Sequence, residues 1–325
     1  PLIRMATRRT HSTDAAMLGQ LTVSMLKGTH GHQSDEVDRL VHWLDTDIKP
    51  DAILLSNLLI GGALPTVQQR LPKARRVVLL QGDDIFLDHL PTTERQQVIE
   101  LLCGLVPSVD RFVVHSQFYA DKMGRLLRIP DHKLIITPLS IDPSPFHADP
   151  KPNRDQFRLG YMARIAPEKG LHRLVDAFVR LAPQPAHQDL SLQVAGWLGE
   201  ANESYLKEQQ EKVERSGLAD RFHYHGSPDL DQKAEFLRSL DLLSVPTDYE
   251  EPKGLFILEA IASGVPVVQP NHGAFGELVA ATGGGIVVEP NSVDALCDGI
   301  VQLKSDPGVR RDMAAQGRET VMDRH

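Results

Sequence analysis

Hydrophobic and polar positions follow two alternating patterns along this chain of 325 residues. Short runs rich in Val, Ile and Leu indicate strands, and runs with an apolar residue at every third or fourth position indicate helices. Strands are predicted at residues 52–55, 77–80, 111–115, 134–137, 157–162, 190–195, 221–225, 242–245, 265–269 and 285–288. Helices are predicted between strands, for example at residues 35–45, 94–105, 171–181, 203–216 and 293–303. This alternation is typical of βαβ units, so we expect an α/β fold with parallel sheets.

One proline-rich stretch interrupts the alternation. Residues 141–153 hold four prolines within ten positions, at Pro143, Pro145, Pro150 and Pro152. Proline continues neither a helix nor a central strand. We therefore predict a linker near residue 150 that joins two α/β domains, at residues 1–145 and 155–325. The chain is long enough for each domain to have its own core.

Composition argues against several classes of function. The formal net charge is −8 with both signs scattered, and aromatic residues make up 5% of the chain, so no nucleic-acid partner is expected. Apolar runs stay shorter than the roughly 20 residues of a membrane-spanning helix, and no signal peptide is visible. Cys103 and Cys297 lack CxxC spacing, which favours reduced thiols and a cytoplasmic location over the alternative of a disulfide between them.

The stretch EEPKGLFILEAIASGVPVV, at residues 250–268, combines charge with an apolar helix. Pro252 suits the first turn of that helix and Gly264 its end, which predicts a helix over residues 253–263. The amino end of a helix carries unpaired N–H groups and partial positive charge, so it predicts a phosphate site. The residues at this end are Lys253, Gly254, Leu255 and Phe256.

Two glutamates, Glu251 and Glu259, are separated by seven residues in this stretch. On one continuous helix they would lie about 12 Å apart along the axis, farther than the roughly 5 to 9.5 Å of a glycosidase carboxylate pair. The spacing fits a long ligand with hydroxyl groups at both ends and a diphosphate between them, such as a nucleotide sugar. The alternatives are a charge on the exposed helix edge for Glu259 and a solvated loop charge for Glu251.

A second charged motif, GYMARIAPEKGL at residues 160–171, lies where a strand ends and a helix begins. Open α/β folds bind ligands at this edge of the sheet. Arg164 and Lys169 would bring two cations there, which suits a diphosphate. The alternative is a pair of surface cations in which Lys169 is paired with Glu168.

Along the chain, Arg164 and Lys169 come first, and Glu251, Glu259 and AIASGVPVV follow. This combination resembles the donor half of the retaining GT-B glycosyltransferases of family 4, the glycosyl transferases group 1. The resemblance extends from about residue 157 to residue 303. It implies two Rossmann-like domains that face each other across a cleft. It also implies metal-independent transfer of a hexose, with retention, from a nucleotide-diphosphate sugar to a glycan or glycolipid acceptor, without a cofactor.

The resemblance also implies roles for single residues. Arg164 and Lys169 are expected to bind the donor diphosphate, Glu251 to contact the transferred sugar, and Glu259 to hold the ribose hydroxyls. Gly226 and Ser227 take the place where the backbone of family members meets the base. Glu251, Arg164 and Lys169 are therefore the candidate catalytic residues.

The amino-terminal half resembles the acceptor domain of the same family with departures. Where family members often carry a histidine after the strand that here ends at Leu80, this chain has Gln81, the candidate substitute. The family's first strand and Gly-rich loop are expected before Pro1 and its last helix after His325. We therefore interpret the sequence as a fragment with a truncated amino-terminal domain.

Other features keep alternatives open. Asp83 and Asp84 are typical of metal-binding aspartates but are better interpreted as a loop pair, and His30 with His32 lacks a third ligand. The basic run at residues 4–12 suits an anionic acceptor or lipid head group at the inner membrane face, or equally a solvated segment. Alternative functions are a sugar-nucleotide epimerase, a phosphorylase, and a non-catalytic nucleotide-sugar-binding module.

Overall fold

The structure is a computed structural model, and it describes residues 15–148 and 155–325. The chain forms two compact units that divide between Thr137 and Pro138. This division falls before the predicted boundary, because Leu139 and Phe146 pack in a core cluster of the second unit. Part of the predicted linker and the basic run at residues 4–12 lie outside the described residues.

The first unit contains a parallel sheet with the strand order β1-β2-β3-β4. Its core packs helices onto the sheet through residues such as Val78, Phe112, Leu102 and Met123. The strands are β1 (Ala52–Leu55), β2 (Arg75–Leu79), β3 (Arg111–Val114) and β4 (Leu134–Ile136). The helices in its described part are α1 (Ala15–Leu26), α2 (Ser34–Trp43), α3 (Leu64–Arg70), α4 (Asp83–Asp88), α5 (Thr92–Leu105) and α6 (Gln117–Leu127).

The second unit contains a parallel sheet of six strands in the order β10-β9-β8-β5-β6-β7. These strands are β5 (Phe157–Met162), β6 (Leu190–Ala195), β7 (Phe222–Tyr224), β8 (Leu242–Leu243), β9 (Val267–Pro270) and β10 (Gly285–Val288). The helices in its described part are α7 (Leu171–Leu181), α8 (Glu203–Arg215), α9 (Leu230–Arg238), α10 (Leu255–Ala262), α11 (Phe275–Thr282), α12 (Val293–Ser305) and α13 (Pro307–Arg324).

The strand order of the second unit creates one special position, between β5 and β8. From β5 the chain proceeds to β6 and β7 on one side, and then returns to build β8, β9 and β10 on the other. Helices that follow β5 and β8 therefore leave toward opposite faces, and the loops before them part to form a crevice. This switch point is where an α/β unit of this kind binds ligands.

The structure confirms the predicted α/β class with parallel sheets. All ten predicted strands are present, and those at residues 52–55, 157–162, 190–195 and 285–288 have the predicted bounds. Both cysteines are free thiols. In the described part of the chain, the helices are too short or too polar to cross a membrane.

Candidate active site

Lys169 and Glu251 meet at the switch point of the second unit. Lys169 lies in the loop after β5 and Glu251 in the loop after β8, and the Nζ–Oε2 distance is 2.7 Å. Both side chains are largely shielded from solvent, with exposed fractions of 18% for Lys169 and 11% for Glu251. The hydroxyl of Tyr249 completes the contact, because it accepts a hydrogen bond from Lys169 and donates one to Glu251. The site therefore combines one cation, one anion and one neutral donor.

The backbone around Lys169 is held close to the loop after β8. Gly170 has φ +76°, and a Cβ atom there would lie 1.7 Å from the carbonyl oxygen of Pro246, so only glycine fits. The buried hydroxyl of Tyr161 lies 3.3 Å from the carbonyl oxygens of both Arg164 and Lys169. Burial raises the pKa of Tyr161, so its hydroxyl stays protonated and can donate.

The backbone of Glu251 is held from the other side by the loop after β9. The N–H of Ala274 donates to the carbonyl oxygen of Glu251 at 2.8 Å. Gly273 has φ +57°, and a Cβ atom there would lie 2.4 Å from the same oxygen. The loop after β9 thus fixes the position of Glu251.

Tyr249 is fixed by a short chain of polar contacts. The hydroxyl of Thr247 donates to the carbonyl oxygen of Tyr249 at 2.9 Å, and lies 3.1 Å from Nε2 of His272. Because the single hydroxyl proton is used toward Tyr249, Nε2 of His272 must carry the proton of the second bond. Burial lowers the pKa of His272, which is consistent with a neutral ring in this place.

Arg164 lies on the same loop as Lys169 but has a different partner. Its Nη2 is paired with Oε1 of Glu168, and the Arg164 side chain is 48% exposed. The alternative in which Lys169 pairs with Glu168 is therefore wrong, because Glu168 pairs with Arg164 and Lys169 pairs with Glu251. The exposed guanidinium sits at the carboxyl edge of β5, where an anionic ligand can reach it.

The helix after Glu251 begins later than predicted. α10 starts at Leu255, and Gly254 before it has φ +95°, a left-handed conformation that no helix can pass through. Pro252 therefore lies outside the first turn, and the separation along one helix axis does not apply to Glu251 and Glu259. The first turn still offers the N–H groups that have no partner within a helix. In it, the side chain of Leu255 is exposed.

The remaining residues predicted for this helix end differ in environment. Phe256 packs edge-on against Phe275, with ring centroids 5.5 Å apart, and so belongs largely to the core. Lys253 is half-buried in the loop between Glu251 and α10. Phe256 therefore helps to shape the start of α10, and the role predicted for Lys253 stays a prediction.

Glu259 lies on α10 and forms a second ion pair. Its Oε1 contacts Nζ of Lys233, from α9, at 2.5 Å, and its side chain is 15% exposed. The ammonium of Lys233 also lies 5.6 Å from the ring centroid of Phe146. The interpretation of Glu259 as a charge on the exposed helix edge is wrong, since the carboxylate is covered and paired.

Gln81 belongs to the first unit, in the loop after β2. Its Nε2 donates to the carbonyl oxygen of Ser56 at 3.0 Å. Next to it, Asp83 accepts from the backbone N–H of Leu58 at 2.9 Å, and burial raises the pKa of its carboxyl. These contacts hold the loop that presents Gln81.

Asp84 is likewise buried, and it accepts a hydrogen bond from the Tyr119 hydroxyl at 2.7 Å. It also pairs with Lys122 at 2.8 Å. The two aspartates thus lie in the first turn of α4, where the sequence predicted a loop pair, and protein partners hold both of them. Throughout residues 15–148 and 155–325, no three His, Cys, Asp or Glu side chains are close enough to hold a metal ion.

Sequence reasoning missed Tyr249 and Lys233, the residues that contact the two glutamates. Tyr249 stands two positions before Glu251, so an aromatic hydroxyl near a candidate carboxylate was a usable signal. Lys233 stands on a different helix, 26 positions from Glu259. Its ordinary amphipathic helix pattern gives no sign of that partner.

The family of this chain is shown by a comparison with known family models. The model of the family described as "Glycosyl transferases group 1" matches residues 144–320, more than half of the chain. The chain belongs to this family. The matched region contains the ion pair of Lys169 with Glu251 and that of Lys233 with Glu259.

Curated members of the family share up to about a third of the aligned residues. The lipopolysaccharide core biosynthesis mannosyltransferase LpsB of Rhizobium meliloti is 34% identical over 152 residues, which are 46% of this chain and 41% of that protein. The glycogen synthase of Mycobacterium tuberculosis is 30% identical over 229 residues, 69% of this chain and 53% of that protein. The chain spans about half the length of the curated relatives it matches.

Solved structures show the same fold. HepE of Anabaena, in complex with UDP, has a TM-score of 0.75 at 19% identity, over 91% of this chain and 80% of that one. Sucrose-phosphate synthase of Thermosynechococcus elongatus has a TM-score of 0.74 at 19% identity, over 90% of this chain and 75% of that one. The two Rossmann-like α/β units thus have the GT-B fold of glycosyltransferases.

Proposed function

We propose that this glycosyl transferases group 1 member transfers a hexose from a nucleotide-diphosphate sugar to a glycan or glycolipid acceptor. The observation that carries the proposal is the contact of Lys169 with Glu251 at the switch point of the second unit. A cation suited to a diphosphate lies there beside a carboxylate suited to sugar hydroxyls, which supports the proposal. The names of relatives support both ends of the reaction: one is a GDP-mannose-dependent phosphatidylinositol monomannoside mannosyltransferase, and HepE binds UDP-glucose.

The chemical requirement is to stabilise negative charge on the departing nucleoside diphosphate. As the bond between the anomeric carbon and the phosphate oxygen breaks, charge grows on that oxygen. The ammonium of Lys169, the guanidinium of Arg164 and the amino end of α10 supply positive potential in fixed positions. These groups can act without a metal ion.

The carboxylates would hold the sugars on either side of the diphosphate. Glu251 would accept hydrogen bonds from the hexose and support the positive charge of an oxocarbenium-like transition state, without a covalent bond to the sugar. Glu259 would accept from the ribose hydroxyls. We further propose that the acceptor attacks from the face that the diphosphate leaves, so that the anomeric configuration is retained.

A donor screen tests this function. A thermal-shift assay with UDP, GDP, ADP and their sugars identifies the nucleotide, because a ligand that binds only the folded state raises its stability. Incubation of that sugar nucleotide with glycan and glycolipid acceptors, with and without EDTA, should yield a retained glycoside detectable by mass spectrometry and NMR. Donor isomerisation or phosphate-dependent cleavage would instead show an epimerase or a phosphorylase, and binding without turnover a non-catalytic module.

A matched pair of variants connects turnover to the site. Glu251→Gln removes the charge of the covered carboxylate and should abolish most turnover. Glu250→Gln makes the same chemical change one position earlier, on an exposed side chain, and should leave turnover close to that of the wild type. Equal turnover in both variants would contradict the role of Glu251.

A further inference from the structure

The hydroxyl of Tyr249 touches both members of the central ion pair. It accepts from Nζ of Lys169 and donates to Oε2 of Glu251, the same oxygen that Lys169 contacts at 2.7 Å. The ammonium also lies 4.9 Å from the centroid of the tyrosine ring, within the range of cation–π attraction. The three polar groups thus form a closed triangle in which each touches the other two.

The tyrosine keeps its proton in this triangle. The pKa of Tyr249 is raised, first by burial and then by the neighbouring carboxylate of Glu251. A phenol in this environment stays neutral at physiological pH, so it acts as a donor to the carboxylate. Its backbone is held as well, by the hydrogen bond from Thr247 to the Tyr249 carbonyl oxygen.

A bound diphosphate and Glu251 would compete for the same ammonium. Without ligand, Lys169 is directed at Glu251 and Tyr249. A diphosphate carries more negative charge than one carboxylate and would draw the ammonium toward itself. A carboxylate as covered as that of Glu251 is costly to leave without a hydrogen-bond donor. A donor fixed by the protein holds it while Lys169 moves and aims it at the hexose hydroxyls from which it is proposed to accept.

Resting on the proposed function, we propose that Tyr249 is a positioning residue for sugar transfer. Its hydroxyl keeps Glu251 hydrogen-bonded and correctly aimed when the donor diphosphate draws Lys169 away. Tyr249 acts on the reaction through Glu251. The triangle then has two states, with Lys169 paired to the carboxylate before donor binding and to the diphosphate afterwards.

The variant Tyr249→Phe removes only the hydroxyl. The pair of Lys169 and Glu251 remains in the free protein, so the unfolding midpoint should stay close to that of a matched control. Tyr224→Phe is that control: it removes a half-buried hydroxyl that donates to the Gly196 carbonyl oxygen at 2.9 Å, away from the triangle. With donor bound, Tyr249→Phe should lower kcat/KM by about 10- to 100-fold, the value of one hydrogen bond to a charged group, while Tyr224→Phe stays near wild type.

The division of the effect between kcat and KM separates positioning from a general structural role. A hydroxyl that aims Glu251 is needed in the transition state, whereas Lys169 and Arg164 still bind the donor in the variant. Tyr249→Phe should therefore lower kcat and kcat/KM by the same factor and leave KM close to that of the wild type.

The outcomes are distinct. If Tyr249→Phe matches Tyr224→Phe in kcat and in kcat/KM, the positioning role is wrong while the proposed function stands. If the wild-type protein transfers sugar from none of the donors in the screen, the proposed function fails, and the positioning role fails with it.

Discussion

Lys169 Nζ lies 2.7 Å from Glu251 Oε2, although the two residues are 82 positions apart in the chain. The contact exists because β5 and β8 are neighbours in the sheet, which brings the loops that follow them together. Gly170 allows the backbones of these two loops to approach closely, and Gly273 lets the loop after β9 approach the backbone of Glu251. A ligand at this switch point therefore meets a cation and an anion in fixed positions.

The ammonium of Lys169 is expected to stabilise the departing diphosphate. Lys169→Ala should reduce kcat/KM about 100- to 1000-fold, as the loss of one preorganised charge-stabilising group typically does. The free energy of unfolding should fall by about 1 to 3 kcal/mol, because Glu251 loses one of its donors. Steady-state kinetics and urea unfolding measure the two effects.

The control for this variant is Lys212→Ala. Lys212 also forms an ion pair, with Asp176 at 2.6 Å, but on α8 and partly exposed. Its removal should leave the kinetics unchanged. A similar loss of kcat/KM in both lysine variants would show that Lys169 does not stabilise the departing diphosphate.

Glu259 is expected to hold the ribose of the donor. Glu259→Ala should weaken binding of the nucleoside diphosphate about 10- to 100-fold, the value of hydrogen bonds to a charged group. Lys233→Ala keeps the carboxylate and should have a smaller effect. Isothermal titration gives both affinities, and an unchanged affinity in Glu259→Ala would show that the ribose is bound elsewhere.

The position of Glu251 should depend on Gly273. Gly273→Ala places a Cβ atom 2.4 Å from the Glu251 carbonyl oxygen, in a left-handed conformation that alanine disfavours. Gly217→Ala meets the same backbone strain at φ +71°, with no atom within 4 Å of the added Cβ. Both variants should lose stability, but only Gly273→Ala should lose most of its turnover. Equal turnover in the two variants would show that Gly273 does not position Glu251.

The second unit should lose stability in mild acid. Burial is the chief cause that lowers the pKa values of His172, His225 and His272. The unfolded chain, with histidine pKa values near 6.5, then binds protons more readily than the folded unit. Above about pH 6.5 the neutral rings contribute their full stabilisation to the folded unit. That contribution declines as the pH falls below about 6.5 toward the lower pKa values of the folded unit.

Urea unfolding at about pH 7.5 and pH 5.5, at one ionic strength, measures this effect. The free energy of unfolding of the second unit should be lower at the acidic pH, and His272→Gln should reduce the difference. Equal or greater stability at the acidic pH would contradict the assignment of these rings as neutral in the folded state.

The strand pattern could be predicted because the parallel sheet is covered on both faces. β6, with the sequence LSLQVA, is buried at every position, and such strands appear in a sequence as short, mostly apolar runs. Charged residues directly after strands, such as Arg164 and Lys169, stand out against these runs. Their placement at the carboxyl edge of the sheet follows from the fold class.

The partners of these charges could not be predicted from the sequence. Lys169 has Glu168 beside it in the chain, yet pairs with Glu251, because the close packing at Gly170 decides which carboxylate it reaches. The start of α10 depends likewise on the left-handed backbone of Gly254, which the sequence allows but does not dictate.

Binding of the diphosphate at Lys169 is tested most directly by isothermal titration of the nucleoside diphosphate selected in the donor screen. The wild-type protein and Lys212→Ala should bind it with the same affinity, and Lys169→Ala at least about tenfold more weakly, as expected for the loss of a charge-assisted contact. Equal affinity in all three proteins would show that the diphosphate does not lie at the contact of Lys169 with Glu251.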